Sequence, residues 1–292
     1  QADFRYAERN EQLESVLCPD KDRRFSVGYN TTEKIGRNQR GGTVVMTLGR
    51  LSSFVLDTGQ DSTGLGRYSW IKVGGGGKTT RIISIYVPRD PGEDTRGKTV
   101  WEQHERYYEA RGSTDSPRDL LLTDIVNFML QCKEDGEEII LVGDFNDNAY
   151  NGELARRLQK DDLRMKEQCL QVTGQQLPGT HLRGSIPIDA CYATAGITSV
   201  QATILPKKAG VGDHRCFIID FTSDSVLGSV FPKIVRMGAR KLHASNERFS
   251  FSLTAAALAL VVPTAAKKWI RRATAGSFHD RAAALLLALL PP

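Results

Sequence analysis

The chain lacks a Cys-x-x-Cys pair, and its cysteines are odd in number: Cys18, Cys132, Cys169, Cys191 and Cys216 in 292 residues. The spacing excludes zinc knuckles, and the odd count argues against a disulfide scaffold. Reduced thiols are expected, and with them an intracellular protein, nuclear or cytoplasmic and not secreted. No secretory signal is present, and the chain opens on Gln1 without an initiator Met, which reads as a trimmed N-terminus. No internal repeat is visible. A nucleotide-binding P-loop is missing too. Gly74-Gly75-Gly76-Gly77 precedes Lys78-Thr79, but the position five residues before Gly77 is Lys72 where the motif requires glycine. Long apolar runs are scarce. Residues 249–266 form an uncharged stretch diluted by Ser and Thr and broken by Pro263, and residues 282–290 are too few to span a bilayer. A helix is favoured over a membrane span, and no clear membrane association follows.

What is present is the composition of a globular protein, with 40% hydrophobic and 25% charged residues. A chain of this length can bury a substantial core without covalent staples. Charge is unevenly placed. Of 39 Lys/Arg and 34 Asp/Glu, ten and three follow residue 222, which leaves 29 and 31 before it. The body is near neutral and the tail strongly basic, so the tail is matched to an acidic partner such as nucleic acid or a membrane surface, or is simply solvated. The expected division is a body over 1–222 and a basic, apolar tail over 223–292 with irregular helices or little order.

Residues 1–40 are polar, with a helix expected over Phe4–Leu17. From Gly42 the pattern turns to strands: 43–48 and 53–57 joined by Gly49-Arg50, then 68–73 and 81–87 joined by the glycine run, as a series of hairpins. Helices are expected over 100–110 and 117–132, the second with Ser116 as N-cap, Pro117 at its first position and Leu120, Leu121, Ile125, Phe128 and Met129 facing the core. The apolar run Ile139–Val142 predicts a buried strand that delivers Gly143-Asp144-Phe145-Asn146 at its end. A helix is expected over 151–160 and strands over 188–193, 198–205 and 216–221. Mixed helices and strands, with hairpins first, predict an α/β sandwich and not a single parallel sheet.

Several polar residues fall at strand ends or in the turns beside them: Tyr86, Asp144 and Asn146, Asp189, and Asp213 with His214. Singly, each is more often a cap, a turn or a packing residue than a functional one. Together they are the residue types that phosphodiester hydrolysis needs. Hard carboxylates hold Mg²⁺ or Mn²⁺, a His beside an Asp acts on the nucleophile or the phosphate, and an amide donates to developing negative charge.

In order, Ser84-Ile85-Tyr86-Val87-Pro88, Leu141-Val142-Gly143-Asp144-Phe145-Asn146, Pro187-Ile188-Asp189-Ala190 and Gly212-Asp213-His214-Arg215 resemble the endonuclease/exonuclease/phosphatase superfamily, which includes apurinic-site and retroelement endonucleases and DNase I-like enzymes. The resemblance covers about residues 41–221. It implies a two-sheet β-sandwich flanked by helices in four DNase I-like layers, N-terminally truncated. It also implies a role for each residue. Tyr86 contacts the scissile phosphate, and Asp144 orients or activates the attacking water. Asn146 stabilises the transition state, Asp213 sits at the metal, His214 serves the phosphate or the water, and Asp189 orients His214.

Shorter segments, Gln39–Thr43, Gly64–Arg67, Thr180-His181 and Arg183–Ser185, are similar to endonuclease domains of non-LTR retroelement proteins, with His181 and Arg183 as substrate-binding candidates; residues 235–242 are similar to the linker that follows such domains. The family also places an Asn and a metal-binding Glu on its first core strands. Neither is found in context here, and the Glu is expected upstream of Gln1. The implied function is a Mg²⁺-dependent DNA endonuclease, with two alternatives: a non-catalytic remnant or nucleic-acid-binding module, and a phosphoesterase for a small substrate.

Overall fold

The computed structural model describes residues 23–32, 41–92, 99–207, 209 and 212–228. The expected helix over Phe4–Leu17, the linker-like stretch 235–242 and both apolar tail runs lie outside the described residues.

The centre is a six-stranded mixed sheet in the order β3-β4-β5-β6-β8-β7. Its strands are β3 (Val55–Gln60), β4 (Tyr68–Gly75), β5 (Lys78–Tyr86), β6 (Glu138–Asp144), β7 (Lys166–Glu167) and β8 (Asp189–Ala193). Only β5 and β6 run parallel. Successive side chains point to opposite faces of a strand, so an unbroken apolar run means that both faces are covered. In β6, Ile139 and Leu141 enter one core while Ile140 enters another. In β4, Tyr68 serves the first core and Ile71 and Val73 the second.

The first core is covered by helices. The β5–β6 crossover carries α1 (Val100–Glu109) and α2 (Pro117–Glu134), and α3 (Glu153–Gln159) follows β6. Helix α2 starts where the sequence predicts, with Pro117 in its first turn and Ser116 Oγ accepting from Asp119 N. Leu121, Leu122, Ile125, Met129 and Cys132 form its buried stripe. At about 1.5–3 kcal/mol for each fully buried aliphatic side chain, this stripe does much to hold helix to sheet. The second core lies between the central sheet and two strand pairs, β1 (Arg23–Gly28) with β2 (Thr43–Leu48) and β9 (Ser199–Ile204) with β10 (Phe217–Phe221). The α/β sandwich flanked by helices is therefore the observed architecture. Among the described residues no helix is long and apolar enough to cross a membrane.

Two expectations are corrected. Residues 43–48 and 53–57 do not form a hairpin. Strand β2 pairs with β1, β3 pairs with β4, and Gly49–Phe54 is a 3-10 turn that carries the chain from one sheet to the other. The polar N-terminal stretch also hides β1, whose apolar content is little more than Phe25 and Val27. It is held by the ladder to β2 and by Ser26 Oγ donating to Gly59 O at 2.6 Å. The hairpin over the glycine run is present: Gly75 pairs with Lys78, and Gly76 and Gly77 take positive φ in the two-residue turn between them. The helix α4 (Gln168–Thr173) follows β7, and α5 (Ser223–Leu227) packs on β4 and β5, with Val226 and Leu227 buried in the second core.

Candidate active site

The ends of three neighbouring strands form one row. Tyr86 at the end of β5 is in register with Asp144 at the end of parallel β6, and Asp144 is in register with Asp189 at the start of antiparallel β8. Alternation along the strands points all three to the same side of the sheet. Tyr86 is fixed from behind, since its N–H donates to Arg67 O at 3.0 Å. Arg67 is itself fully buried. It forms a two-bonded pair with Asp61 (2.6 and 2.8 Å) and donates to Asp124 at 2.7 Å and to Tyr108 Oη at 2.5 Å.

Each residue of Gly143-Asp144-Phe145-Asn146 has a local physical reason. A Cβ at Gly143 would lie 1.9 Å from Ile85 O, so only glycine allows β5 and β6 to approach here. Phe145 turns into the first core, fully buried and stacked on Tyr192 at 6.0 Å between centroids. Asn146 adopts φ 46°, a left-handed conformation that Asn tolerates better than most residues. Its backbone N–H donates to Asp144 Oδ1 at 2.9 Å, and its Nδ2 donates to Val87 O at 2.8 Å and Asp144 Oδ2 at 3.2 Å. The turn thereby aims the Asp144 carboxylate.

A second pair of loops closes over this row. Thr180 Oγ1 accepts from Ile188 N and Asp189 N, Arg215 N donates to Thr180 O, and Leu182 N donates to Asp213 O. His181 and His214 consequently face each other as an isolated bridge, with rings 5.1 Å apart, edge to face. His214 Nδ1 is 2.8 Å from Asp189 Oδ2, which orients the ring. Its Nε2 lies 3.9 Å from Asp144 Oδ2 and 4.0 Å from Asp213 Oδ1. His181 Nε2 is 3.3 Å from Asp213 Oδ2.

This arrangement sets the protonation states. Burial, reinforced by the charge of Asp189, pushes the Asp144 carboxyl up to about 7. The hydrogen bond to Asp189 raises His214, against the opposing effect of burial. A hydrogen bond from its own backbone N–H, with lesser help from His181, lowers Asp213.

Tyr86, Asp144, Asn146, His181, Asp189, Asp213 and His214 all line one cavity of about 950 Å³. Seven of the eight residues singled out from sequence are thus together. Arg183 is not: it is exposed, and only its backbone N–H reaches the site, donating to His181 Nδ1 at 3.2 Å. Arg89 and Asp147 also line the cavity and were not singled out. Arg89 could have been, because it is a cation immediately after the Tyr86–Pro88 strand end; Asp147 follows Asn146 directly and reads there as an ordinary turn residue.

Two overlapping groups, Asp144 with Asp189 and His214, and His181 with Asp213 and His214, bring their ligand atoms within 4.8 Å of one another. The carboxylates Asp144, Asp189 and Asp213 are donors for a hard divalent cation, and the two imidazoles beside them suit a borderline metal better. Asp144 and Asp189, two largely buried carboxylates in register on adjacent strands, carry negative charge that a dication would relieve.

No family model matches the chain, and no curated protein does. Among solved structures, the catalytic domain of human Nocturnin aligns at TM-score 0.47 and 14% identity over 74% of this chain and 77% of that one. The 3′ phosphatase NExo from Neisseria, bound to a product DNA hairpin, aligns at TM-score 0.48 and 13% identity over 74% and 95%. An AP endonuclease from Archaeoglobus fulgidus aligns at TM-score 0.44 and 16% identity over 67% and 78%.

Proposed function

We propose that this chain carries a metal-dependent phosphodiester hydrolase site of the endonuclease/exonuclease/phosphatase type, acting on DNA. The observation that carries the reading is the row Tyr86–Asp144–Asp189 at three adjacent strand ends, faced by a His214 that Asp189 orients. A carboxylate near neutral pKa beside an imidazole held by a second carboxylate is an acid–base arrangement, and a cavity lined by Tyr, Asn and His offers donors to an anionic phosphate.

In this reading Asp144 accepts a proton from the attacking water. The water oxygen bonds to phosphorus while the opposite P–O bond breaks, and the leaving oxygen takes its proton from solvent. Tyr86 Oη and the Nε2 side of His214 hold non-bridging phosphate oxygens. Asp189 aligns the imidazole and favours its charged form. Asn146 keeps Asp144 aimed, and its longer bond to Asp144 Oδ2 is the one it can exchange for a phosphate oxygen as charge develops. Asp213, grouped with His181 and His214, would hold a dication, which would supply neutralisation of the phosphate charge. His181 would steady Asp213 and line the substrate channel.

The finer reading is a DNA endonuclease of the retroelement type. It rests on the resemblance of Gln39–Thr43, Gly64–Arg67, Thr180-His181 and Arg183–Ser185 to such domains; of these residues Arg67 accepts from Tyr86 N and His181 bridges to His214. The test is nicking of supercoiled plasmid DNA in Mg²⁺. Asp144→Ala and His214→Ala should each reduce the rate by about 10²–10⁴-fold, the contribution of a positioned acid or base. Nicking unchanged by Asp144→Ala rules the assignment out. Turnover of a nucleotide or sugar phosphate with none on DNA transfers the same site to a small substrate.

A further inference from the structure

Beside the reaction cavity lies a second, smaller cleft of about 280 Å³, and the two share Tyr86 and Arg89 on their walls. The far wall of the small cleft is the first turn of α1, with Thr99, Val100 and Trp101. Two side chains of this cleft lack partners among the described residues. Arg89 makes no hydrogen bond or ion pair there, although it opens onto both cavities. Trp101 is half-buried and makes neither a hydrogen bond nor a ring contact. Trp70, by contrast, packs on Phe128 and under the Arg81 guanidinium.

The backbone that carries Trp101 is anchored. Thr99 Oγ1 accepts from Glu102 N and Glu102 Oε2 accepts from Thr99 N, a complete capping box, and the next two residues, Gln103 and His104, are buried beneath it. The cap also means that the helix end is already satisfied. What the cleft offers a ligand is an indole face on an anchored helix start and a guanidinium across from it, with the Asp90 carboxylate next to the guanidinium.

We propose that Trp101 and Arg89 form a subsite for the nucleotide adjacent to the reacting phosphate, with its base stacked on the indole and its own phosphate paired with the guanidinium. A base inside a duplex is already stacked on both faces, so a lone aromatic platform one nucleotide from the reaction selects an unpaired strand. The preferred substrate is therefore a single-stranded or locally opened polynucleotide. This rests on the phosphodiester hydrolase reading and adds to it what lies on one side of the scissile bond.

The test is a cycle between protein and ligand, read as binding to the full chain in EDTA so that turnover does not intervene. The probes are 5′-phosphorylated dithymidylate and two analogues in which one or the other base is replaced by an abasic residue, titrated by NMR. For the unmodified protein, one abasic analogue should bind about ten-fold more weakly than the parent, as stacking on one aromatic side chain implies. In Trp101→Ala that penalty should vanish, and in Trp101→Phe, which keeps a stacking face and guards against misfolding, most of it should remain. Arg89→Ala should lose the gain contributed by the 5′-phosphate. An equal abasic penalty in unmodified and Trp101→Ala protein, or no binding of the dithymidylate, overturns the subsite. Hydrolysis of bis(p-nitrophenyl) phosphate in Mn²⁺ by the unmodified protein checks the parent reading separately. Hydrolysis without a Trp101-dependent base effect removes only the subsite, and a base effect without hydrolysis removes only the parent reading.

Discussion

Replacing Asp144 by Asn should stabilise the metal-free protein at neutral to alkaline pH while abolishing hydrolysis. Asp144 is largely buried beside Asp189, and burial first, then that neighbouring charge, lifts it from an ordinary 3.8 to about 7. An acid raised in the folded state favours folding below its unfolded pKa and loses that advantage as pH rises towards the folded value. Stability therefore drains away between about pH 4 and 7. At about 1.4 kcal/mol for each pH unit, ionised Asp144 costs the fold roughly 4 kcal/mol at pH 8. Asn removes the charge and still accepts from Asn146 N on one oxygen, but it loses the bond from Asn146 Nδ2, worth about 1–3 kcal/mol to a charged acceptor. The net gain is about 2 kcal/mol, or roughly 5 °C in Tm for a domain of this size. Thermal unfolding in EDTA from pH 4 to 8 should show the variant about 2 kcal/mol less stable near pH 4, the two curves crossing between about pH 5 and 6, and the variant more stable at pH 8. A variant less stable than its parent at pH 8, or a difference that does not change with pH, would refute the claim that Asp144 is held in an unfavourable charge state for chemistry.

Mg²⁺ or Mn²⁺ should raise the Tm of the unmodified protein more at pH 8 than at pH 5, because protonated Asp144 competes with the ion; a pH-independent rise counts against the carboxylates as ligands. Asp189→Asn should lower the His214 titration midpoint seen by NMR, since the hydrogen bond to Asp189 is the main cause of its elevation, and an unchanged midpoint would mean that the contact does not hold in solution. Arg67→Ala leaves Asp61 buried without its cation and should cost about 3–5 kcal/mol in urea unfolding; a loss under about 1 kcal/mol contradicts the pairing. Gly143→Ala should prevent the β5–β6 approach and yield insoluble or unfolded protein, so a well-folded variant would show that the strand ends tolerate separation.

The site was more legible in the sequence than the fold around it. Tyr86, Asp144 and Asp189 were readable because each closes or opens a buried apolar strand, so a strand-end position follows from the hydropathy pattern alone. Asp213 and His214 were readable as an acid–imidazole pair in a glycine-marked turn. Thr180 escaped a role, because a lone Thr carries no chemical signature. Its hydroxyl matters only through long-range contacts with Ile188 N and Asp189 N. Arg183 stands apart from the other seven: its side chain is exposed, and its backbone N–H alone touches His181. The strand β1 was hidden because its stability comes from its partner strand and not from its own apolar content, and the expected hairpin between 43–48 and 53–57 failed because local turn chemistry cannot say which sheet a strand joins.

The most direct test of the central claim is the pH-dependence of Mg²⁺-supported nicking of supercoiled plasmid by the unmodified protein and by Asp144→Ala and His214→Ala. A nicking activity that is lost on acidification as Asp144 is protonated, with a midpoint below the metal-free value of about 7 because the dication favours the carboxylate, and that falls by at least about 100-fold in either variant, is the predicted result. Nicking of equal rate in all three proteins would contradict it.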